Sequence, residues 1–204
     1  MNVPDRRTPE ETRALILETA WQLFRQLGAR TTIADVAERL GMSSANVYRF
    51  YASKQALSEA VCANQLDHLT QMAQSLAAGP GRPSERIRAV LLALHTAMRA
   101  QMTAEQRVHE IVDMAMSERW PSIAAYEEAI AAVLGALVAE GQERGEFGPG
   151  DPAELGWLTL CSCAGIHHPH MIALYADEPP GPEQIVSFAM RALSNPLPLD
   201  PPGA

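Results

Sequence analysis

The sequence predicts an all-α fold, and three observations carry that expectation. Apolar residues recur at spacings of three and four along almost the whole chain, as one face of a helix requires. No stretch alternates apolar and polar residues with the period of a strand, and no internal repeat is visible. Breaks rich in glycine and proline, GPGRP at 79–83, EFGPGDP at 146–152 and DEPPGP at 177–182, help divide the chain into about nine helical segments. The expected arrangement is a three-helix head over residues 1–53, a larger helical body over 54–195 and a tail over 196–204.

The first helix reads TPEETRALILETAWQLFRQLG, with Leu15, Ile16, Ala20, Leu23, Phe24 and Leu27 as its apolar stripe. Thr8 stands as N-cap, Pro9 suits the first helical position, Glu10 and Glu11 favour the positive end, and Gly28 closes the helix. Thr32 caps a short second helix, IADVAERL, with Asp35 three residues on in a capping-box position, and Gly41 stops it. Ser43 or Ser44 caps a third helix running through Tyr51. A fourth starts near Ser53 and carries Leu57, Val61, Leu66, Leu69, Met72 and Leu76. Beyond GPGRP, the segments ERIRAVLLALHTAMRAQM, TAEQRVHEIVDMAMSERW and SIAAYEEAIAAVLGALVAEGQERG each carry an apolar stripe. Pro152 opens a helix reading AELGWLTLCSCAGIHHPHMIALY, and EQIVSFAMRALS is the last. The tail NPLPLDPPGA is expected to fray.

Composition bounds the function. The 204 residues are 47% hydrophobic and 20% charged, enough to bury a core. No apolar run approaches the roughly 20 residues of a membrane span. The start, MNVPDRRTPEE, has no apolar signal region, and three cysteines (Cys62, Cys161, Cys163) make no disulfide framework. A cytoplasmic protein with no membrane partner is expected. The net charge of −8 disfavours a polyanion partner, but it is unevenly spread. Residues 1–60 hold eight basic side chains against seven acidic, whereas the remainder holds eight against seventeen. Only the head has a balance compatible with phosphate contact.

The third helix, within SSANVYRFYASK, is poor in core-forming residues and rich in short polar or flat ones. Its link to the second helix through Gly41, Met42 and Ser43 is a helix-turn-helix layout, leaving this helix free to enter a major groove. Ser43, Ser44, Asn46 and Arg49 can reach base edges or phosphates, and the Tyr48 hydroxyl can meet a phosphate. Lys54, the only lysine, sits in the first turn of the next helix. Val36, Ala37, Leu40, Val47 and Phe50 or Tyr51 remain to hold the head together.

The run GARTTIADVAERLGMSSANVYRFYASKQAL resembles the DNA-binding signature of the tetracycline-repressor (TetR) family of bacterial regulators. The resemblance is carried by Gly28, Thr31, Thr32, Val36, Ala37, Gly41, Ser43, Tyr48, Ser53, Lys54 and Leu57, and the motif covers roughly residues 9–60. It implies an operator-DNA interface of Thr32, Ser43, Ser44, Asn46, Tyr48, Arg49 and Lys54. Phe50 stands where the family often has histidine, so no DNA role passes to it. The resemblance further implies a regulator, in all expectation a repressor, that binds a palindromic operator as a homodimer. The last two long helices would form the interface, with Leu155, Leu158, Ile185 and Phe188 as candidates. The central helices would enclose a small, largely apolar effector of unknown identity. Candidate pocket residues are His95, Met98, Met102, His109, Met114, Trp120, Tyr126 and Trp157, which interrupt the apolar stripes; simple core packing is the competing reading.

CSCAGIHHPH adds one sharper constellation, with Cys163, His167 and His170 on one face of an uninterrupted helix. Thiolate with imidazole suits zinc or copper, so a metal-responsive repressor is the alternative, although Pro169 would kink that face and cysteines also pack well at interfaces. No cofactor is expected. No Ser-His-Asp order, phosphate-binding glycine loop, HExxH pair or paired-carboxylate pocket is visible, which argues against an enzyme.

Overall fold

A computed structural model describes residues 7–104, 107–175 and 179–195, which are helical without a strand. Eleven α-helices occur among the described residues. The two beyond the expected nine arise because the helix expected over 153–175 is broken into three pieces. The chain divides into two compact units, Met1–Leu66 with Glu105–Ile123, and Asp67–Ala104 with Ala124–Ala204.

In the first unit, α1 (Pro9–Leu27) starts at the expected N-cap Thr8, which forms a capping box with Glu11: Thr8 Oγ1 accepts from the Glu11 N–H at 3.1 Å, and Thr8 N–H donates to Glu11 Oε2 at 2.7 Å. Its face of Ile16, Ala20, Leu23 and Phe24 is buried. A 3₁₀ turn over Gly28–Arg30 leads to α2 (Ile33–Arg39), capped by Thr32 with Asp35 in the same reciprocal way. α3 spans Ser44–Tyr48, shorter than expected, and α4 (Lys54–Ala77) follows. α6 (Val108–Ser117) also belongs here: Ile111, Ala115 and Trp120 complete a core with Ile16, Phe24, Val36, Val47 and Leu57. The unit therefore differs from the head expected over 1–53. It takes in the first half of α4 and a distant segment whose apolar stripe finds its burial against α1 and the 3₁₀ turn.

The second unit holds the end of α4, α5 (Pro83–Ala104), α7 (Pro121–Glu143), α8 (Pro152–Ser162), α9 (Ala164–His167), α10 (Pro169–Tyr175) and α11 (Pro182–Ser194). Its core is built on Ile87, Val90, Leu91, Leu94, Ile130, Leu134, Val138 and Val186. α7 and α8 cross in close contact at two glycines, where a Cβ on Gly156 would lie 2.5 Å from the Gly135 nitrogen and 2.7 Å from the Ala131 carbonyl oxygen. α7 is long and apolar enough to cross a membrane, against the expectation of no such segment. Its apolarity is accounted for by Ile130, Leu134 and Val138, each with 0% exposure in this core. α9 ends at His168, which is extended (φ −75°, ψ 124°) as a residue before proline prefers, and Pro169 cannot donate the bond that would continue the helix.

Candidate functional site

Tyr48 and Val47 face opposite ways. Val47 has 0% exposure and anchors α3 in the core of the first unit, while the Tyr48 ring is 50% exposed. Arg49, Ser43 and Ala45 share the exposed side, with Ser44 and Asn46 half-buried at its edge. Ser43 Oγ caps the helix by accepting the Asn46 N–H at 3.3 Å. The turn after α3 is held by Arg13 of α1, whose guanidinium carbon lies 5.8 Å and 5.2 Å from the Phe50 and Tyr51 ring centroids. Arg13 Nη1 also donates to the Phe50 carbonyl at 3.4 Å. Sequence reasoning missed Arg13, for nothing in α1 marks a contact with a turn some 37 residues on. The outward side of α3 thus presents a guanidinium, a phenol, hydroxyls and an amide on a rigid backing, a set suited to phosphates and base edges.

Four of the residues expected to touch DNA, Ser43, Asn46, Thr32 and Lys54, also have partners inside the protein, and Asn46 Nδ2 donates to Met42 Sδ at 3.8 Å. The Thr32 hydroxyl donates to Asp35 Oδ2 at 2.7 Å, and this bond and that from the Thr32 N–H hold the Asp35 carboxyl below its ordinary pKa. The Lys54 ammonium donates to the carbonyl of Ala29. On the other side of the same residue, the Ala29 N–H donates to Glu110 Oε2 at 2.8 Å. Glu110 was not foreseen; its only signal is Gly28, where φ is +62° and an added Cβ would stand 2.5 Å from that carboxylate oxygen.

The expected effector residues are divided between the two units. His95 and Met98 are buried in the second unit, and Tyr126 packs against its core, where burial pushes the phenol up to about 12. Trp120 and Met114 instead pack in the core of the first unit, whose half-buried His109 stands on α6. Trp120 Nε1 donates to Glu118 Oε2 at 2.7 Å, satisfying its one donor. The Met102 side chain lies outside the described residues. Trp157 is 42% exposed on α8, so it belongs to a surface.

That surface includes two of the expected interface residues. Leu158 and Phe188 are 42% and 65% exposed. Leu155 and Ile185, also expected at the interface, turn inward: Leu155 is a member of the second unit's core and Ile185 packs against it.

The metal alternative is not supported by the geometry. Among the described residues no three of His, Cys, Asp and Glu stand close enough to hold a metal ion. The interruptions at Cys163 and Pro169 take apart the face that a continuous helix would have offered. Cys163 is buried and His170 is exposed. His167 faces inward, its Nε2 at 2.8 Å from the Leu91 carbonyl oxygen, and His95 Nδ1 stands 2.8 Å from that of Ile166.

Residues 16–61 match the family described as "Bacterial regulatory proteins, tetR family", and residues 83–182 match the "Tetracyclin repressor-like, C-terminal domain". No curated protein matches the chain. Solved structures with the same fold include a transcriptional regulator of the TetR/AcrR family from Thermobifida fusca YX-ER1, 23% identical. It covers 92% of this chain and 99% of that one at a TM-score of 0.61. A TetR-family regulator from Pectobacterium atrosepticum is 22% identical over 92% of this chain and 94% of that one, with a TM-score of 0.67. Thermus thermophilus FadR, a TetR-family transcriptional repressor in complex with lauroyl-CoA, is 18% identical over 94% and 98%, with a TM-score of 0.60. At these identities the likeness is one of fold.

Proposed function

Since the chain belongs to the TetR family of bacterial regulators, DNA-binding proteins of transcription, we propose that it is a repressor that grips a palindromic operator as a homodimer. It works in the cytoplasm and lets go when a small, largely apolar effector enters its second unit. The observation that carries the reading is the two-sided build of α3, with Val47 at 0% exposure beneath and Tyr48 at 50% above. Ser43, Ser44, Asn46, Tyr48 and Arg49 form the reading surface. Thr32 and Lys54 contribute from its margins, Lys54 through ammonium hydrogens beyond the one directed at Ala29.

Dimerisation is supported by Trp157, Leu158 and Phe188, large apolar side chains left exposed on α8 and α11. A two-fold dimer matches a palindrome, because two recognition helices then meet two half-sites one helical turn apart. Repression follows from occupancy: a dimer lying across its operator excludes polymerase. An effector site in the second unit is supported by its match to the tetracyclin repressor-like C-terminal domain. A structural relative of the same fold is complexed with lauroyl-CoA, and another comes from work on control of antibiotic production by bacterial hormones.

A mobility-shift titration on DNA flanking the protein's own gene tests this. The expected result is one retarded species containing two chains, resistant to excess unrelated DNA and abolished when one half-site is scrambled. Binding no stronger than to unrelated DNA would remove the repressor reading.

A further inference from the structure

α5 and α9 are joined by a reciprocal pair of imidazole bonds, His95 Nδ1 to the Ile166 carbonyl and His167 Nε2 to the Leu91 carbonyl, each 2.8 Å. A carbonyl oxygen only accepts, so each of these ring nitrogens carries a hydrogen. Burial holds the His167 pKa below the usual imidazole value; the Leu91 bond opposes that shift and the nearby His95 adds to it. His167 is thus neutral at neutral pH, with its hydrogen on Nε2 and a lone pair on Nδ1. That Nδ1 is buried, and no described residue offers it a donor. The adjoining His168 Nδ1 is buried without a partner as well. Both stand where α9 gives way to α10, with His167 on the carbonyl of the buried Leu91.

We propose that this junction is the polar anchor of the effector site, and that it selects apolar molecules bearing a hydroxyl, whose hydrogen is donated to His167 Nδ1. The proposal rests on the reading that the second unit holds the effector. It also narrows the class. An ether, ester or ketone brings only lone pairs to a lone pair, so it gains nothing at this atom. A phenol or alcohol of the same shape gains a hydrogen bond in an interior where water does not compete.

The experiment uses the full-length protein and two probes that differ only in the donor, 4-butylphenol and its methyl ether, 4-butylanisole. In ring-nitrogen NMR, His167 should show the Nε2-protonated tautomer. The phenol should shift its Nδ1 resonance, and calorimetry should find the phenol bound at least tenfold more tightly than the ether. His167→Gln sets a side-chain amide where Nε2 was, keeping a donor for the Leu91 carbonyl while deleting the Nδ1 acceptor, so it should equalise the two probes. Equal binding of both probes by the parent, an Nδ1-protonated His167, or an undiminished preference in His167→Gln would each overturn the proposal. The NMR result stands without any variant, should one fail to fold. Operator release is scored separately. A phenol that engages His167 yet leaves operator binding unchanged retains the anchor and removes the effector reading; release only by compounds that ignore His167 does the reverse.

Discussion

Glu110 and Lys54 hold opposite ends of one residue. The Glu110 carboxylate accepts the Ala29 N–H at 2.8 Å, and the Lys54 ammonium donates to the Ala29 carbonyl. Glu110 stands on α6 and Lys54 opens α4, so two helices separated by some 50 residues fix the turn that enters α2. The helix-turn-helix is thereby oriented by residues outside it.

The clamp makes a specific demand. Glu110→Ala and Lys54→Met should each lower stability by about 1 kcal/mol, the net worth of a hydrogen bond in an exposed or half-exposed setting. The double variant should lose less than the sum, because both bonds restrain the same residue. Denaturant titration measures this, and strictly additive losses would show that the two contacts act independently.

Assembly is predicted to depend on α8 and α11. Leu158→Glu or Phe188→Glu should convert a dimer to monomers in sedimentation. The same changes should reduce operator affinity at least about tenfold, as the second half-site is no longer bound at high effective concentration. Leu155→Glu should instead impair folding, since Leu155 is only 8% exposed in the core of its own unit. A parent that sediments as a monomer at micromolar concentration would contradict the proposed interface.

How far the sequence could be read depends on the range of each interaction. The Thr8 cap and the capping box of Thr32 with Asp35 act over three residues, and they were legible from residue type alone. The exposed polar side of α3 was legible for a similar reason, since short polar residues on a backing of Val47 fit a surface and not a core. Pro169 was legible as a kink, yet the helix was drawn through it, and the supposed face of Cys163, His167 and His170 went with that error. The return of α6 to the first unit, and the pairing of His95 with Ile166 across 71 residues, were not legible. Contacts at that range leave no periodic trace, and an apolar stripe says that a helix is buried without saying against what.

Acid should weaken the fold through His167. Its pKa when unfolded is near 6.5 and when folded is lower, because burial disfavours the charged ring. Above 6.5 both states are neutral and the group has no effect on stability. As pH falls below 6.5 the unfolded chain takes up the proton first, so stability is lost until the folded ring also protonates. The melting temperature of the parent should therefore drop between pH 7 and pH 5.5, and His167→Gln should remove that part of the slope. An unchanged slope in the variant would assign the acid sensitivity elsewhere.

Close contact between α7 and α8 predicts intolerance at Gly156. An added Cβ would stand 2.5 Å from the Gly135 backbone nitrogen, and backbone cannot swing aside as a side chain can. Gly156→Ala should cost about 1–3 kcal/mol or more, as overpacking of a tight core does. Thermal unfolding of the variant at the parent's midpoint would show a looser crossing than the structure describes.

The central claim is that the exposed side of α3 reads DNA, and a binding titration across a library of single-base operator variants tests it most directly. Tyr48→Ala should weaken binding to every sequence alike, because a phosphate contact positions without specifying. Arg49→Ala should lose discrimination at one or two positions by about 1–3 kcal/mol per lost base contact and leave the others unchanged. Operator affinities and base preferences identical to the parent's in both variants would contradict the account.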